Sequence, residues 1–133
     1  MKPIPITLAT SSVYPLSVHD GFAIAADLGY DGVEVMVPNS PPSQNPEALN
    51  ELISKYDQPI HSIHAPTLLL TQQVWGSAWN KILRSVQLAE KVNCEVVVVH
   101  PPFRWQSEYG SQFAEGINDL MERSGVKIAV ENM

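Results

Sequence analysis

The stretch "EVVVVH" at residues 95–100 decides the fold. Four valines in a row are β-branched and stiff at χ1, which suits a strand, and a helical period lies on each side of them. Downstream, Phe113, Ile117, Leu120 and Met121 recur at helical spacing until Gly125 stops them, and "VKIAVE" at 126–131 reads as the next strand. Upstream, Trp79, Ile82, Leu83, Val86 and Ala89 mark a helix that follows a strand "IHSIHA" at 60–65. Further back, Asn45 as N-cap and Pro46 at the first helical position open a helix carrying Leu49, Leu52, Ile53 and Tyr56. The strand "GVEVMV" (32–37) precedes it. A helix from Ser17, with Phe22, Ala25, Ala26 and Leu28 on one face and Gly29 at its end, follows a first strand "ITLAT" at 6–10. Strands alternating with helices in this way predict an α/β fold with parallel pairing and right-handed crossovers.

Composition bounds what such a fold can do. With 133 residues, 44% hydrophobic and 17% charged, the chain is expected to form one domain, 1–133, with a real core. A net charge of −6 and only 8 basic residues, scattered along the chain, argue against a surface built to hold phosphate backbones, so no nucleic-acid partner is expected. The apolar runs fall far short of the roughly 20 residues that span a bilayer, and the Met-Lys start lacks the apolar stretch of a signal peptide. No membrane partner is expected, and a cytoplasmic setting is. The lone Cys94 allows no internal disulfide, fits a reducing compartment, and reads as a small packed residue where a helix turns into a strand. The Pro-rich "PNSPPSQNP" at 38–46 reads as a surface loop.

Strand parity then separates two faces, because side chains alternate across a sheet. Val33, Val35 and Val37 share one face; Val97 and Val99, and Val126, Ile128 and Val130, form matching aliphatic faces expected to pack on helices. The other faces carry Glu34, His64, His100 and Glu131, the last three at or next to the C-terminal ends of their strands. In parallel α/β folds that end is where ligands bind. Each residue alone has an ordinary explanation: an inward histidine is usually a hydrogen-bonded structural group, and Glu34 suits a bond to a neighbouring strand. Together, carboxylates and imidazoles of one parity form a cluster that is costly unless a metal or polar ligand satisfies it. His61 has the opposite parity and is expected to pack or be solvated.

"SIHAP", "VVVHPP" and "IAVENM" at the ends of strands three, four and five, with "LGYDGVEVMV" at strand two, resemble the xylose isomerase-like TIM barrel superfamily, which holds sugar and sugar-phosphate isomerases and epimerases and the endonuclease IV type of apurinic endonuclease. In the isomerase and epimerase branch the resemblance implies Glu131 as a divalent-metal ligand (Mn, Zn or Mg) and acid/base, and His100 close to a sugar substrate. In the endonuclease branch it implies zinc on His64, His100 and Glu131. Either chemistry is intelligible: a divalent ion polarises a carbonyl or phosphoryl oxygen while a positioned carboxylate moves a proton or activates water.

A complete barrel has eight βα units and about 250 residues, so four units and a fifth strand are expected to be a truncated, N-terminal part of one, inactive by itself. Two open sheet edges predict self-association into a homo-oligomer. A non-catalytic half-barrel acting through that association stands as a further reading. In the loop after strand four, Arg104 is a candidate for holding a phosphate or carboxylate, and Trp105 and Tyr109 for walling a pocket, with packing of the loop on itself as the ordinary alternative. Glu34 and His64 join Arg104 and Trp105 as candidate substrate-binding residues. "TLLLTQQVWG" at 67–76 is apolar for a loop and is expected to cover the mouth of the site or pack beneath the helices, with Trp75 as a possible stacking group.

Overall fold

Local signals in the chain place each element. The computed structural model describes residues 1–37, 40–66 and 74–132. In chain order these form β1 (Thr7–Ala9), α1 (Val18–Leu28), β2 (Gly32–Met36), α2 (Pro41–Gln44), α3 (Pro46–Tyr56), β3 (Ile60–His64), α4 (Ala78–Lys91), β4 (Val96–Val99), α5 (Ser107–Ser124) and β5 (Lys127–Val130), with a 3-10 turn at Thr10–Val13. Helix α1 starts with a reciprocal capping box: the Asp20 amide donates to the Ser17 hydroxyl, and the Ser17 amide and hydroxyl both donate to the Asp20 carboxylate. Gly29, at φ 75°, ends it in the left-handed region, where a residue without a Cβ is at least cost. Asn45 caps α3 by accepting from the Ala48 amide at 3.0 Å, and Pro46 takes the first helical position.

The five strands form one parallel sheet in the order β1-β2-β3-β4-β5. Five parallel strands alternating with helices are the arrangement of a TIM-barrel fragment. Each strand is one or two residues shorter than the stretch that marks it; β4 keeps all four valines and drops the flanking Glu95 and His100. The segment at 38–46 is more than a loop. It contains the short helix α2, which two prolines at its start favour and which buries Ser43 completely.

Register carries the parity argument into three dimensions. Val35 pairs with Ile63, Ile63 with Val97, and Val97 with Ile128, so one face is continuous and aliphatic. Val33, Val35, Ile63, Val97 and Val99 are buried there against Phe22 and Ala25 of α1, Leu49 of α3, and Ile82, Val86 and Ala89 of α4. At β5 the cover thins: Val126 is buried and Ile128 still packs against the core, while Val130 at the strand end is 50% exposed. Val130 therefore departs from the expectation that every aliphatic face is covered. The opposite face carries Glu34, Met36, Ser62, His64 and Val98 in register, and it continues into His100 and Glu131 just past the strand ends. Among the described residues no helix is long and apolar enough to cross a membrane.

Candidate metal centre

Three strand ends converge at one carboxylate oxygen. His64 is the last residue of β3, while His100 and Glu131 directly follow β4 and β5. The final rung of the β4–β5 ladder, from the Glu131 amide to the Val99 carbonyl at 2.9 Å, holds the last two side by side. Nε2 of His64 and Nε2 of His100 each lie 2.9 Å from Oε2 of Glu131. The two imidazoles meet edge to face, with centroids 5.2 Å apart and planes at 86°. Exposure is graded across the cluster: side chains are 7% accessible at His64, 25% at His100 and 49% at Glu131. A buried anchor thus leads to an open carboxylate.

Tautomer chemistry says what the cluster lacks. Nδ1 of His64 sits 3.0 Å from the carbonyl of Ala65, which can only accept, so this nitrogen carries a proton and donates. In a neutral ring Nε2 then presents a lone pair, and it presents it to a carboxylate oxygen. That opposition is relieved by a cation between the two atoms or by a second proton on the ring. A histidine that donates one N–H to a backbone carbonyl while aiming its other nitrogen outward is the usual arrangement of a metal-ligating imidazole. Among the described residues His64, His100 and Glu131 form the one group of three ligand-type side chains, with ligand atoms all within 4.8 Å of one another. Two imidazole nitrogens and a carboxylate suit zinc and its neighbours among divalent ions. The donor set fits such an ion. The Glu131 carboxyl is held below its ordinary 4.5, chiefly by its close contact with His64 and further by His100, against the opposing effect of burial, so it is an anion at neutral pH.

Other candidate residues lie elsewhere. Glu34 points to the same face but accepts a hydrogen bond from the Ser62 hydroxyl, its register partner on β3, and stays outside the triad. His61 sits at the irregularity in the β2–β3 register, its ring against Gly32 and Nε2 3.3 Å from the Asp31 carbonyl. Trp105 lies at the surface, in the turn that leads to α5. It is 78% exposed, stacked flat on Phe103 at 4.6 Å, and Arg104 between them is exposed as well. Tyr109 belongs to the first turn of α5 rather than to a loop, and it donates its hydroxyl to the His100 carbonyl. Trp75 is half-buried and packs against the core. Most of the apolar stretch at 67–76 lies outside the described residues, so its expected role over the site does too. Cys94 is a buried free thiol, and burial pushes its pKa up, away from reactivity. Sequence reasoning missed Ser62, although it shares the parity of Glu34 and His64; it also missed the Ala65 carbonyl, which no pattern announces.

A parallel sheet of consecutive βα units with ligand-type side chains at its C-terminal edge is the arrangement of a βα-barrel fragment. Residues 22–133 match the family model of the xylose isomerase-like TIM barrel, and the chain belongs to that family. An uncharacterised protein of Mycobacterium leprae (strain TN) is 48% identical over 135 residues, which cover 100% of this chain and 48% of that protein. One from Mycobacterium tuberculosis (strain ATCC 25618 / H37Rv) is 47% identical over 137 residues, again with 48% of its length covered. The chain therefore spans about half the length of these relatives. Among solved structures, the apo 3-keto-D-glucoside 4-epimerase of E. coli superposes with a TM-score of 0.70 at 15% identity, over 98% of this chain and 57% of that one. A family 2 AP endonuclease from Brucella melitensis gives 0.53 at 12% identity, over 96% and 68%. At these identities the likeness is one of fold.

Proposed function

We propose that residues 1–133 are the N-terminal part of a divalent-metal-dependent sugar or sugar-phosphate isomerase or epimerase, working in the cytoplasm and incomplete without further strands. The observation that carries this reading is the convergence of His64 and His100 on Oε2 of Glu131, an arrangement that calls for a cation. Support for incompleteness comes from the length of the mycobacterial relatives and the uncovered β5 edge. His64, His100 and Glu131 would hold the ion, which when bound polarises a substrate carbonyl and acidifies the neighbouring C–H. Glu131 engages both histidines through Oε2, which leaves Oε1 to take that proton and return it. His100, more open than His64, faces the substrate oxygens. Glu34, Arg104 and Trp105 are proposed to contact the sugar, Glu34 from the depth of the sheet face and the other two from the rim. The free Cys94 agrees with a reducing compartment.

Calorimetric titration with zinc and with manganese tests this, on the chain as it stands and on one extended to the length of its relatives. Binding to the extended chain that disappears in Glu131→Gln is the expected result. Absence of binding in both, or binding untouched by Glu131→Gln, overturns the metal-dependent reading. One observation favours a second reading: the triad is the very set that an endonuclease IV-type enzyme would use for zinc. The acidic balance of the chain counts against a DNA substrate. A single ion per extended chain supports the sugar enzyme, and a cluster of ions supports the nuclease.

A further inference from the structure

We propose that Tyr109 is a positioning residue for His100: its hydroxyl fixes the peptide from which the imidazole reaches Glu131. The ladder between β4 and β5 ends at the bond from the Glu131 amide to the Val99 carbonyl, so the His100 carbonyl lies beyond it. The next two residues, Pro101 and Pro102, have no N–H and offer the turn no donor. Tyr109, arriving from the first turn of α5, supplies one, donating to the His100 carbonyl at 2.9 Å.

The helix start is itself held in place. The Phe103 amide donates to Oε1 of Gln106, the Gln106 amide to the Phe103 carbonyl, and the Gly110 amide to the Gln106 carbonyl. Burial pushes the Tyr109 phenol up to about 12, so at neutral pH it is an O–H donor. Beside the bond lies a cavity of about 30 Å³ bordered by Lys81, Val99, His100, Pro101, Gln106 and Tyr109. That is room for a water molecule and for movement of the His100 peptide. Close packing therefore does not clamp this peptide on the helix side, and the Tyr109 hydrogen bond does.

The metal arm of the test rests on the function proposed above, and the geometric arm stands without it. In isotopically labelled chain, NMR reads the His100 carbonyl carbon and ring Nε2. Tyr109→Phe, which keeps the ring and its edge-to-face contact with Phe113, is expected to leave the circular dichroism spectrum unchanged. It is expected to move both His100 signals toward those seen in Glu131→Gln, where the imidazole is released. Zinc affinity falls about tenfold, the low end for loss of a group that orients a ligand. Phe113→Leu, which removes packing and keeps the hydroxyl, lowers Tm and leaves the His100 signals in place. Para-aminophenylalanine at position 109, which restores a donor, brings them back. Should Tyr109→Phe leave Nε2 and zinc affinity at wild-type values, or Phe113→Leu displace Nε2 as far, the positioning role is wrong. If neither the wild-type chain nor its extended form takes zinc while Tyr109→Phe still moves Nε2, the positioning role holds and the metal reading fails.

Discussion

Glu131 divides its work between two oxygens, and its partners differ in burial, so single changes have separable outcomes. His64→Gln removes a buried nitrogen whose other side is tied to Ala65, and zinc added to this variant is expected to give none of the rise in Tm that binding to the native state produces. A thermal melt with and without zinc checks it. Acid tells a different story at Asp20, whose carboxyl the Ser17 hydroxyl and amide hold below its ordinary 3.8. Its pKa is depressed by folding, so the stability it adds is present above the unfolded value and is lost as pH falls through the lower folded value. Asp20→Asn is expected to flatten the acid limb of stability around and below pH 3.8, as read by urea unfolding across pH. At this scale the sequence was informative where periodicity applies. Parity aligned His64, His100 and Glu131, but it could not say that Glu34 stands two residues deeper, since Met36 pairs with His64. At about 3.3 Å per residue that is roughly 7 Å below the mouth. Arg104 and Trp105 sit in a turn with no period, and nothing in their spacing reveals that one ring covers another.

Among the elements, the helices were legible from their caps and stripes, and their mutual packing was not. Asn45→Ala at the start of α3 is expected to cost about 1 kcal/mol in chemical denaturation, the usual effect of losing an N-cap acceptor. Gly116, midway along α5, lets Trp79 of α4 lie against its backbone: a Cβ there would stand 2.6 Å from Cζ2 of the indole. Two effects oppose one another in Gly116→Ala. Helix propensity gains about 1 kcal/mol, while forcing a methyl into a packed ring costs about 1–3 kcal/mol. The clash wins, and a net loss of up to about 2 kcal/mol with a shift in tryptophan fluorescence is the expected result. The stripe of Phe113, Ile117 and Leu120 identified α5, yet a glycine in that helix looks like a defect until its neighbour is seen. The converse miss is α2, too short and too rich in proline to show a period.

For the molecule as a whole, the unfinished surface is the edge at β5. Its outer face exposes Val130 and its inner face exposes Ala129, beside a half-open Glu131. An unpaired parallel edge with apolar side chains invites another strand. We expect the chain to self-associate through this edge, with sedimentation coefficients that rise with concentration. Val130→Lys, which places a charge where a paired strand would bury it, should return the chain to a monomer. Fold class was readable because alternation of strand and helix allows few topologies. Association could be expected only in outline, because both β1 and β5 end the sheet and alternation does not say which of the two edges a second chain would pair with.

The order β1-β2-β3-β4-β5 has a kinetic meaning as well. Every strand pairs only with those adjacent to it in the chain, so no contact in the sheet waits on the closure of a loop longer than one βα unit. Such a chain can nucleate at any βαβ unit and grow outward one unit at a time, each step paying a similar entropy of closure. Stop-flow refolding of variants in the β2–β3 pair and in β5 would resolve the direction of growth. The best buried unit, around Val35 and Ile63, should carry φ-values well above those of the frayed end at Val130.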